Sequence, residues 1–486
     1  MRDRQQSDLA RKIKQLEYEI EELTDRLSQS EKLLQDIYRS KTWKLGQLYG
    51  RFIGVESVLR KRVVSLIGKV GLFPKAQSPA QSGAVPIVVT SEYYSMAEDF
   101  ISGCDVSTGV FIIISGIAIA NRITSRTDQL SHRAVRLAKE FAAKGYSAFF
   151  VVTQQRGGLR DAPIERVDNN ILQMHISVFR KMYHFIFSKL SIFEKQRIFL
   201  VQSLHPVLVE VLGHANADRW TTVYDCLDNW EEFFNQGWHS WYDRRVEEFV
   251  FKNVDHRITV SPFLREKFQD YEPIHIVHNG YSPDIANDYV KELKKGEITI
   301  GYMGNLQKFR FDWEFLSAVA ERRKEWVFYL LGLLPPGISF PDNIIHLPPV
   351  RPQFLCAYAR NWDVAMIPFK INALTLACDN LKIYECLLFR LPVVARGVGE
   401  HAGQYPYVYL AETEESFIHA IELAAAKKME ERVISPFLEM CDWTSRARDF
   451  LGILQSERRN YKDVLFESPL HLCLLEYRNT LHRPMC

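Results

Sequence analysis

Apolar residues along the first forty positions recur at alternating steps of four and three. The series consists of Leu9, Ile13, Leu16, Ile20, Leu23, Leu27, Ser30, Leu34 and Ile37, in which only Ser30 is polar. This spacing is typical of the seam of a coiled coil, and Glu, Lys and Arg occupy the flanking positions. It predicts a coiled-coil helix over residues 1–40 and self-association through it. The alternative is that the helix packs on its own globular domain.

Basic and apolar residues are interleaved over the following segment, residues 41–73. From Lys41 to Lys75 there are eight Lys or Arg residues and one acid, Glu56, a local balance of 8 − 1 = +7. Basic residues beside aromatic and aliphatic ones are typical of helices that lie on anionic lipid. A membrane-surface helix and a helical stalk that packs on a neighbouring domain both remain open. The Pro-, Ser-, Ala- and Gln-rich stretch that follows predicts a linker over residues 74–87.

Runs of buried-strand character alternate with helical patterns from residue 88 onward. In residues 88–290 they predict strands at 110–115, 147–152, 197–201, 221–224 and 256–260, with a helix over 131–143 capped by Ser131. In residues 291–455 they predict strands at 298–302, 326–331, 343–347, 363–368 and 392–396, with a helix over 311–322. Such alternation predicts α/β domains with parallel sheets covered on both faces. A helical tail is expected over residues 456–486.

Length and composition agree with two large domains. The 486 residues exceed one ordinary core, and 47% hydrophobic with 25% charged residues is typical of a globular chain. The net charge of +2 gives no indication of a nucleic-acid partner. The longest apolar run, residues 110–120, is too short for a membrane helix of about 20 residues, and the N-terminus lacks the apolar core of a signal peptide. We therefore expect a cytoplasmic protein, with peripheral attachment to the inner face of the cell membrane open.

Cysteine and histidine spacing gives no indication of a metal or disulfide framework. The eight cysteines include no C-x-x-C pair, and no histidine cluster has metal-ligand spacing. We expect no metal and no cofactor.

Polar residues just after the predicted strands are the candidate site, because ligands bind at the carboxyl ends of parallel strands. In the first domain these residues could hold an acceptor's hydroxyl groups or could serve turns and caps; the set is Gly116, Arg126, Asp128, Asp225, Asp228 and His205, with Arg133 and His205 the weaker candidates. In the second domain Gly304 allows close backbone approach, and Lys308 and Arg310 in the same loop are either phosphate-binding or solvated. Lys382 and Glu385 lie three apart on one helix face, where the alternative is a surface ion pair.

Several ordered segments resemble one known family. R-L-A-K-E-F-A-A-K-G-Y-S-A-F-F-V, V-Y-D-C-L-D-N-W-E-E-F and I-T-V-S-P-F-L-R-E-K-F followed by H-N-G-Y resemble the first lobe of GT-B glycosyltransferases. G-Y-M-G-N-L, W-D-V-A-M-I-P-F, L-K-I-Y-E-C-L-L-F-R-L-P-V-V and D-W-T-S-R-A resemble the donor lobe of the retaining, family 4-like members. R-S-K-T-W-K-L-G-Q-L-Y-G also resembles an element that follows coiled coils in bacterial enzymes of surface polysaccharide assembly.

The resemblance implies a GT-B fold, in which two Rossmann-like domains face a cleft. It also implies a glycosyl-transfer reaction. A sugar would move from a nucleotide sugar to a hydroxyl of a glycan acceptor, lipid-linked in view of the N-terminal segments, with retention of configuration and without a protein nucleophile. Glu385 matches the second acid of the family's Glu-x7-Glu motif, which holds the ribose hydroxyls. Lys382 would neutralise the diphosphate, and Gly304, Asn380 and Leu381 would line the same donor site.

One position departs from the family pattern. Ala377 stands where the motif has its first Glu, and the nearest acid is Asp379. The donor sugar therefore stays open. A catalytically inactive GT-B scaffold or regulatory subunit, assembled through the coiled coil, is the alternative function. A sugar-nucleotide epimerase on the same fold is a third and less favoured one.

Overall fold

The computed structural model describes residues 89–119, 132–153, 163–193, 196–239, 241–286 and 290–455. The predicted coiled coil, basic segment, linker and C-terminal tail lie outside the described residues, as does the loop that carries Arg126 and Asp128.

The first lobe is built on an eight-stranded sheet with the order β3-β4-β2-β1-β5-β6-β7-β8. Its strands are β1 Val110–Ser115, β2 Ser147–Val152, β3 Ile164–Asp168, β4 Ile171–His175, β5 Arg197–Val201, β6 Thr221–Cys226, β7 His256–Thr259 and β8 His275–Ile276. Neighbouring strands pair in parallel, except that β3 and β4 form an antiparallel hairpin at one edge. The central strands β1 and β2 are buried along their whole length, as runs of β-branched and aromatic residues predict.

Helices cover this sheet and connect its strands. They are α1 Ser91–Ser102, α2 Arg133–Ala143, α3 Ile176–Leu190, α4 Leu208–Ala217, α5 Trp230–Asn235, α6 Arg244–Asn253 and α7 Pro262–Lys267. Helix α2 begins two residues later than predicted, and its N-cap is His132 rather than Ser131. The Nδ1 atom of His132 accepts a hydrogen bond from the Ala134 N–H, at 3.3 Å. Burial lowers the pKa of His132 to about 4, so the neutral ring can act as this acceptor.

The second lobe contains a six-stranded sheet in which neighbouring strands are parallel, in the order β11-β10-β9-β12-β13-β14. Its strands are β9 Thr299–Met303, β10 Val327–Leu331, β11 Ile344–Leu347, β12 Val364–Pro368, β13 Val393–Arg396 and β14 Val408–Leu410. Its helices are α8 Trp313–Arg322, α9 Pro352–Ala359, α10 Ala373–Leu376, α11 Leu381–Leu388, α12 Glu414–Ala426 and α13 Glu431–Cys441.

The chain crosses between the lobes twice, and the two crossings run side by side. The Tyr281 N–H donates to the Cys441 carbonyl at 3.2 Å, and the Trp443 N–H donates to the Tyr281 carbonyl at 3.1 Å. After the second crossing, helix α14 (Trp443–Ile453) joins the hydrophobic core of the first lobe, where the Phe450 ring lies 5.6 Å from the Phe141 ring. By packing, α14 therefore belongs to the first lobe, although it follows the second lobe in the chain.

Each sheet reverses its strand order at one central strand. Strand β1 lies between β2 and β5, and β9 lies between β10 and β12. Ligands of open α/β sheets bind at such reversals, just beyond the carboxyl ends of the strands. Gly116 and Gly304 follow β1 and β9 at these two points, so the topology directs attention to the loops that contain them. Among the helices of the described ranges, none is both long enough and apolar enough to span a bilayer.

Candidate functional site

The loop after β9 and the start of α11 approach each other closely. Gly304 has φ +134°, and a Cβ atom at this position would lie 1.9 Å from Lys382 Cε and 2.7 Å from its Nζ. The loop after β10 is equally tight, since a Cβ at Gly332 would lie 1.9 Å from the Gly304 carbonyl oxygen. Only glycine fits both positions without movement of a neighbour. The structure thus brings together Gly304 and Lys382, which the sequence assigned to one site.

Helix α11 presents its N-terminus and one charged face at the same place. Asn380 is its N-cap and accepts a hydrogen bond from the Lys382 N–H at 3.1 Å, so this amide oxygen serves the helix. The Leu381 side chain packs against the core of the first lobe. Lys382 is half-buried, and Glu385, one turn further along, is 8% exposed. The positive end of the helix dipole and a lysine therefore face the loop of Gly304 together.

Arg310 and Asp228 form an ion pair that joins the two lobes. Arg310 Nη2 lies 3.2 Å from Asp228 Oδ1, and about a fifth of each side chain is exposed (23% and 21%). The guanidinium carbon of Arg310 lies 4.9 Å from the centre of the Phe233 ring. Burial raises the pKa of Asp228 above its ordinary value, although Arg310 acts in the opposite direction. A predicted donor cation and a predicted acceptor acid are therefore direct partners. Lys308 is exposed in the same turn as Arg310.

Asp225 has a different environment from Asp228. Its side chain is fully buried, and Arg133 binds it through two hydrogen bonds, of 2.8 Å from Nε and 3.0 Å from Nη2. The Gln202 amide donates a third, at 2.7 Å. Direct contact with an acceptor needs an exposed oxygen, which Asp225 lacks, so its geometry does not support the role predicted for it. Arg133 continues to the first crossing, where Nη1 donates to the His278 carbonyl at 3.1 Å.

His205 serves a turn, and Gly116 lies where the topology places a ligand crevice. Nδ1 of His205 accepts a hydrogen bond from the Val207 N–H at 3.2 Å, in the turn before α4. Burial, together with the positive charge of Arg180, lowers the pKa of His205 to about 4, which keeps the ring neutral and able to accept. Gly116 is half-buried in a bend directly after β1.

A buried carboxylate that the sequence did not assign lies at the junction of the lobes. Asp379 is 1% exposed; the Tyr384 hydroxyl donates to it at 3.0 Å, and His401 Nε2 lies 3.2 Å from Oδ1. The Asn279 backbone N–H, from the first crossing, also donates to this carboxylate. Burial acts to raise the pKa of Asp379, but the hydrogen bond from His401, the neighbouring His278 ring and the Asn279 backbone N–H hold it below its ordinary value.

The same cluster is geometrically able to hold a cation. One possible ligand atom each from His278, Asp379 and His401 lies within 4.8 Å of the others. Spacing along the chain could not show this group, because its members are far apart in sequence. The Asp379 oxygens already accept hydrogen bonds from protein groups, however, and the His278 Nδ1 lies 2.9 Å from the Val260 carbonyl oxygen. These contacts describe an anion neutralised by protein donors, and we derive no metal chemistry from them.

Ala377, the position that departs from the motif, is in contact with the first lobe. Ala377 is fully buried, and the Ser261 hydroxyl donates to its carbonyl oxygen at 2.6 Å. No carboxylate is present at this position to meet a donor sugar.

Comparison with known proteins identifies the architecture. Residues 130–285 match the model of the family described as Glycosyltransferase Family 4. The structure described as "OtsA apo structure" is 12% identical, with a TM-score of 0.51, and the match covers 72% of this chain and 100% of that one. A structure titled "Trehalose-6-phosphate from E. coli bound with UDP-2-fluoro glucose" is 12% identical, with a TM-score of 0.50 and the same coverage. At such identity these likenesses show the fold. A search of curated proteins found no match.

The chain has the GT-B fold, and its residues 130–285 match a glycosyltransferase family. The resemblance to family 4-like GT-B glycosyltransferases and the GT-B fold class inferred from the sequence are thereby confirmed, apart from the coiled coil, which lies outside the described residues.

The candidate site of this GT-B fold contains residues that sequence reasoning missed. Asn279, Ser261 and His401 all contact the donor-lobe segment that leads into α11. The segment H-N-G-Y did indicate the end of the first lobe, and Asp379 stood out as the acid nearest Ala377. Neither signal could show that the Asn279 backbone would bind the Asp379 carboxylate.

Proposed function

We propose that this glycosyltransferase transfers a sugar from a nucleoside-diphosphate sugar to a hydroxyl of a glycan acceptor, with retention of configuration. One observation carries the proposal: Lys382 lies against Gly304 at the carboxyl end of β9, and Glu385 follows on the same helix face. A lysine that lies beside a helix N-terminus and next to a glycine can bind a diphosphate, because both the lysine and the helix N-terminus carry positive charge. A carboxylate one turn further along suits two adjacent ribose hydroxyls.

In the proposed reaction the protein stabilises charge and supplies no covalent nucleophile. Negative charge develops on the departing diphosphate, where Lys382 and the N-terminus of α11 would oppose it. Arg310 is a second cation at the same loop, held in place by Asp228 of the other lobe. Contact between the lobes would exclude water from the reacting atoms.

That the donor is a nucleotide sugar is inferred from the similar fold of other proteins and from the residues of the proposed site. The E. coli structure with the same fold is titled as bound to UDP-2-fluoro glucose. That ligand belongs to that protein, and we extend only its class, a nucleotide sugar, to this chain. The donor sugar is left open, because Ala377 replaces the acid expected beside it.

Residues 1–73 suggest where the enzyme works. We propose that residues 1–40 join copies of the chain and that residues 41–73 hold them on the inner, anionic face of the cell membrane, near a lipid-linked acceptor of surface polysaccharide synthesis. Deletion of residues 1–75 should then lower the oligomer mass and abolish binding to anionic vesicles. Unchanged vesicle binding would contradict the membrane part of the proposal.

The central experiment measures nucleotide binding and donor turnover in the full chain. A panel of nucleoside diphosphates is titrated by calorimetry, and a panel of nucleotide sugars is scored by mass spectrometry. Lys382→Ala and Glu385→Ala should each weaken nucleotide binding about 10- to 100-fold, since a hydrogen bond to a charged group contributes about 1.5–3 kcal/mol.

A matched control is Lys427→Ala, which removes a lysine beside the edge strand β14 of the same sheet, three strands from β9. Its Nζ lies 5.5 Å from the ring of Tyr407, just before β14, and nucleotide binding should be unchanged. If the wild type neither binds nor turns over any donor, the proposal fails and the inactive GT-B scaffold becomes the better description.

A further inference from the structure

Two aromatic side chains, one from each lobe, meet beside the Arg310–Asp228 pair. Trp238, just after α5 in the first lobe, is 41% exposed, and its ring centre lies 4.9 Å from that of Phe309 in the second lobe. Phe309 directly precedes Arg310, whose guanidinium carbon lies 5.9 Å from the Phe309 ring. An aromatic pair, of which Trp238 is exposed and Phe309 half-buried, therefore adjoins the charged groups between the lobes.

The turn that presents Trp238 has an unusual backbone. Gly237 has φ +80°, and His239, which is not a glycine, has φ +52°. Non-glycine residues rarely take this conformation, and where they do it is frequently at a functional site. The Trp238 N–H donates to the Phe233 carbonyl at 2.8 Å, which fixes the turn to the end of α5. The backbone thus holds Trp238 in one place.

A layer of buried and half-buried aromatic rings supports this turn from below. The His239 ring lies 4.6 Å from Phe233 and 5.0 Å from Trp241, and the Trp241 ring lies 5.5 Å from Trp230. Phe233 in turn lies 6.1 Å from Phe309 and under the Arg310 guanidinium. Trp238 and Phe309 therefore belong to one cluster of aromatic rings, in which Trp238 is exposed and Phe309 is half-buried.

We propose that Trp238 and Phe309 form an acceptor subsite that stacks on the apolar C–H face of a pyranose ring. This inference rests on the proposed function. A sugar ring presents C–H groups on its faces and hydroxyls around its edge, and an aromatic face with its negative quadrupole packs well against polarised C–H groups. The hydroxyl edge of a ring on this pair would meet Asp228, Arg310 and the exposed Lys308, which offer both acceptors and donors.

The observations favour a glycan over a lipid surface as the occupant. A protein surface that binds a membrane is a broad apolar face on a single domain. The Trp238–Phe309 pair is narrow, and each lobe contributes one of its two side chains. It also continues directly into the charged pair between the lobes, where a transferred sugar must meet its acceptor.

The subsite is tested in the full chain with lipid-free oligosaccharides as the probe. Glycan binding is titrated by ligand-observed NMR for the wild type, Trp238→Ala, Trp238→Phe and Phe234→Ala. Phe234 is a neighbouring exposed aromatic, 47% accessible, and serves as the matched control. Trp238→Ala should weaken glycan binding about five- to tenfold, which matches the free energy of an aromatic pair, while Trp238→Phe stays within about threefold. Phe234→Ala should bind as the wild type does.

The outcomes separate this inference from the proposed function. Nucleotide binding, measured in the same samples, should be unchanged in all three variants. If Trp238→Ala binds glycans as well as the wild type, or if the wild type binds none, the subsite is wrong. If Trp238→Ala impairs only vesicle binding, the pair serves a lipid surface and the inference is overturned. If nucleotide binding is absent while glycan binding depends on Trp238, the proposed transfer fails and the glycan subsite stands.

Discussion

At the scale of single residues, the proposed donor site depends on the absence of a side chain at position 304. Gly304→Ala would place a Cβ atom 1.9 Å from Lys382 Cε, in a backbone with φ +134°. The lysine must then move, and we expect nucleotide affinity to fall about tenfold, as for loss of one charged contact. Calorimetric titration with the preferred nucleoside diphosphate measures this.

Gly337→Ala is the control for this substitution. Gly337 also has a positive φ, of +71°, but a Cβ there would not contact another residue, since nothing lies within 4 Å. Gly337→Ala should lower stability by about 1 kcal/mol through strain and leave nucleotide affinity unchanged. Equal affinity of Gly304→Ala and wild type would mean that Lys382 is not the phosphate ligand.

Residue roles were predictable where the information was local. Lys382 and Glu385 are three apart, so helix geometry alone put them on one face. Asp225 was ambiguous because its partner Arg133 is 92 positions away, and no local pattern distinguishes a buried bidentate pair from a free carboxylate. Asp379 and Asn279 are 100 positions apart and were missed for the same reason.

At the scale of elements, continuous apolar runs were the reliable signal. Strands buried on both faces, such as β1 and β12, leave unbroken apolar stretches, and their predicted bounds differ from the observed ones by at most a residue. The β3–β4 hairpin was missed because β3 is an edge strand with one buried residue, and the polar Gln173 and His175 interrupt the apolar run of β4. Strand β14, with three residues, is too short to give a periodic signal.

Helix α14 provides a prediction at this scale, because it fills the core of a lobe that is distant in sequence. Phe450 is fully buried against Phe141, so Phe450→Ala should lower the free energy of unfolding by about 3–5 kcal/mol.

The control is Gly452 on the same helix, where an added Cβ would have nothing within 4 Å. Gly452→Ala should raise stability by up to about 1 kcal/mol through helix propensity. Urea unfolding followed by circular dichroism compares the two, and a small effect of Phe450→Ala would show that α14 does not hold the first lobe together.

At the scale of the whole molecule, several of the polar contacts between the two lobes gather around segment 373–380 of the second lobe. The Ser261 hydroxyl binds the Ala377 carbonyl, the Asn229 amide donates to the Ala373 carbonyl at 3.4 Å, and Asn279 binds Asp379. Each contact joins the first lobe or the first crossing to residues just before α11. The position of α11, and hence of Lys382, is therefore set partly by the first lobe.

Asp379 makes this dependence testable by pH. Its pKa in the folded protein lies below its ordinary value of about 3.9, so the ionised carboxylate stabilises the fold at neutral pH. That contribution is lost as the pH falls below about 4.

Asp379→Asn removes the charge at every pH and should lower the free energy of unfolding at pH 7 by about 1–3 kcal/mol. The difference from wild type should then begin to narrow at pH 3.5, where the carboxyl of the unfolded wild-type chain is largely protonated while the folded one still resists protonation. Urea midpoints at the two pH values measure this, with the exposed Asp270→Asn as control. A difference that stays constant between pH 7 and pH 3.5 would show that Asp379 holds the lobes together by shape and hydrogen bonding rather than by its charge.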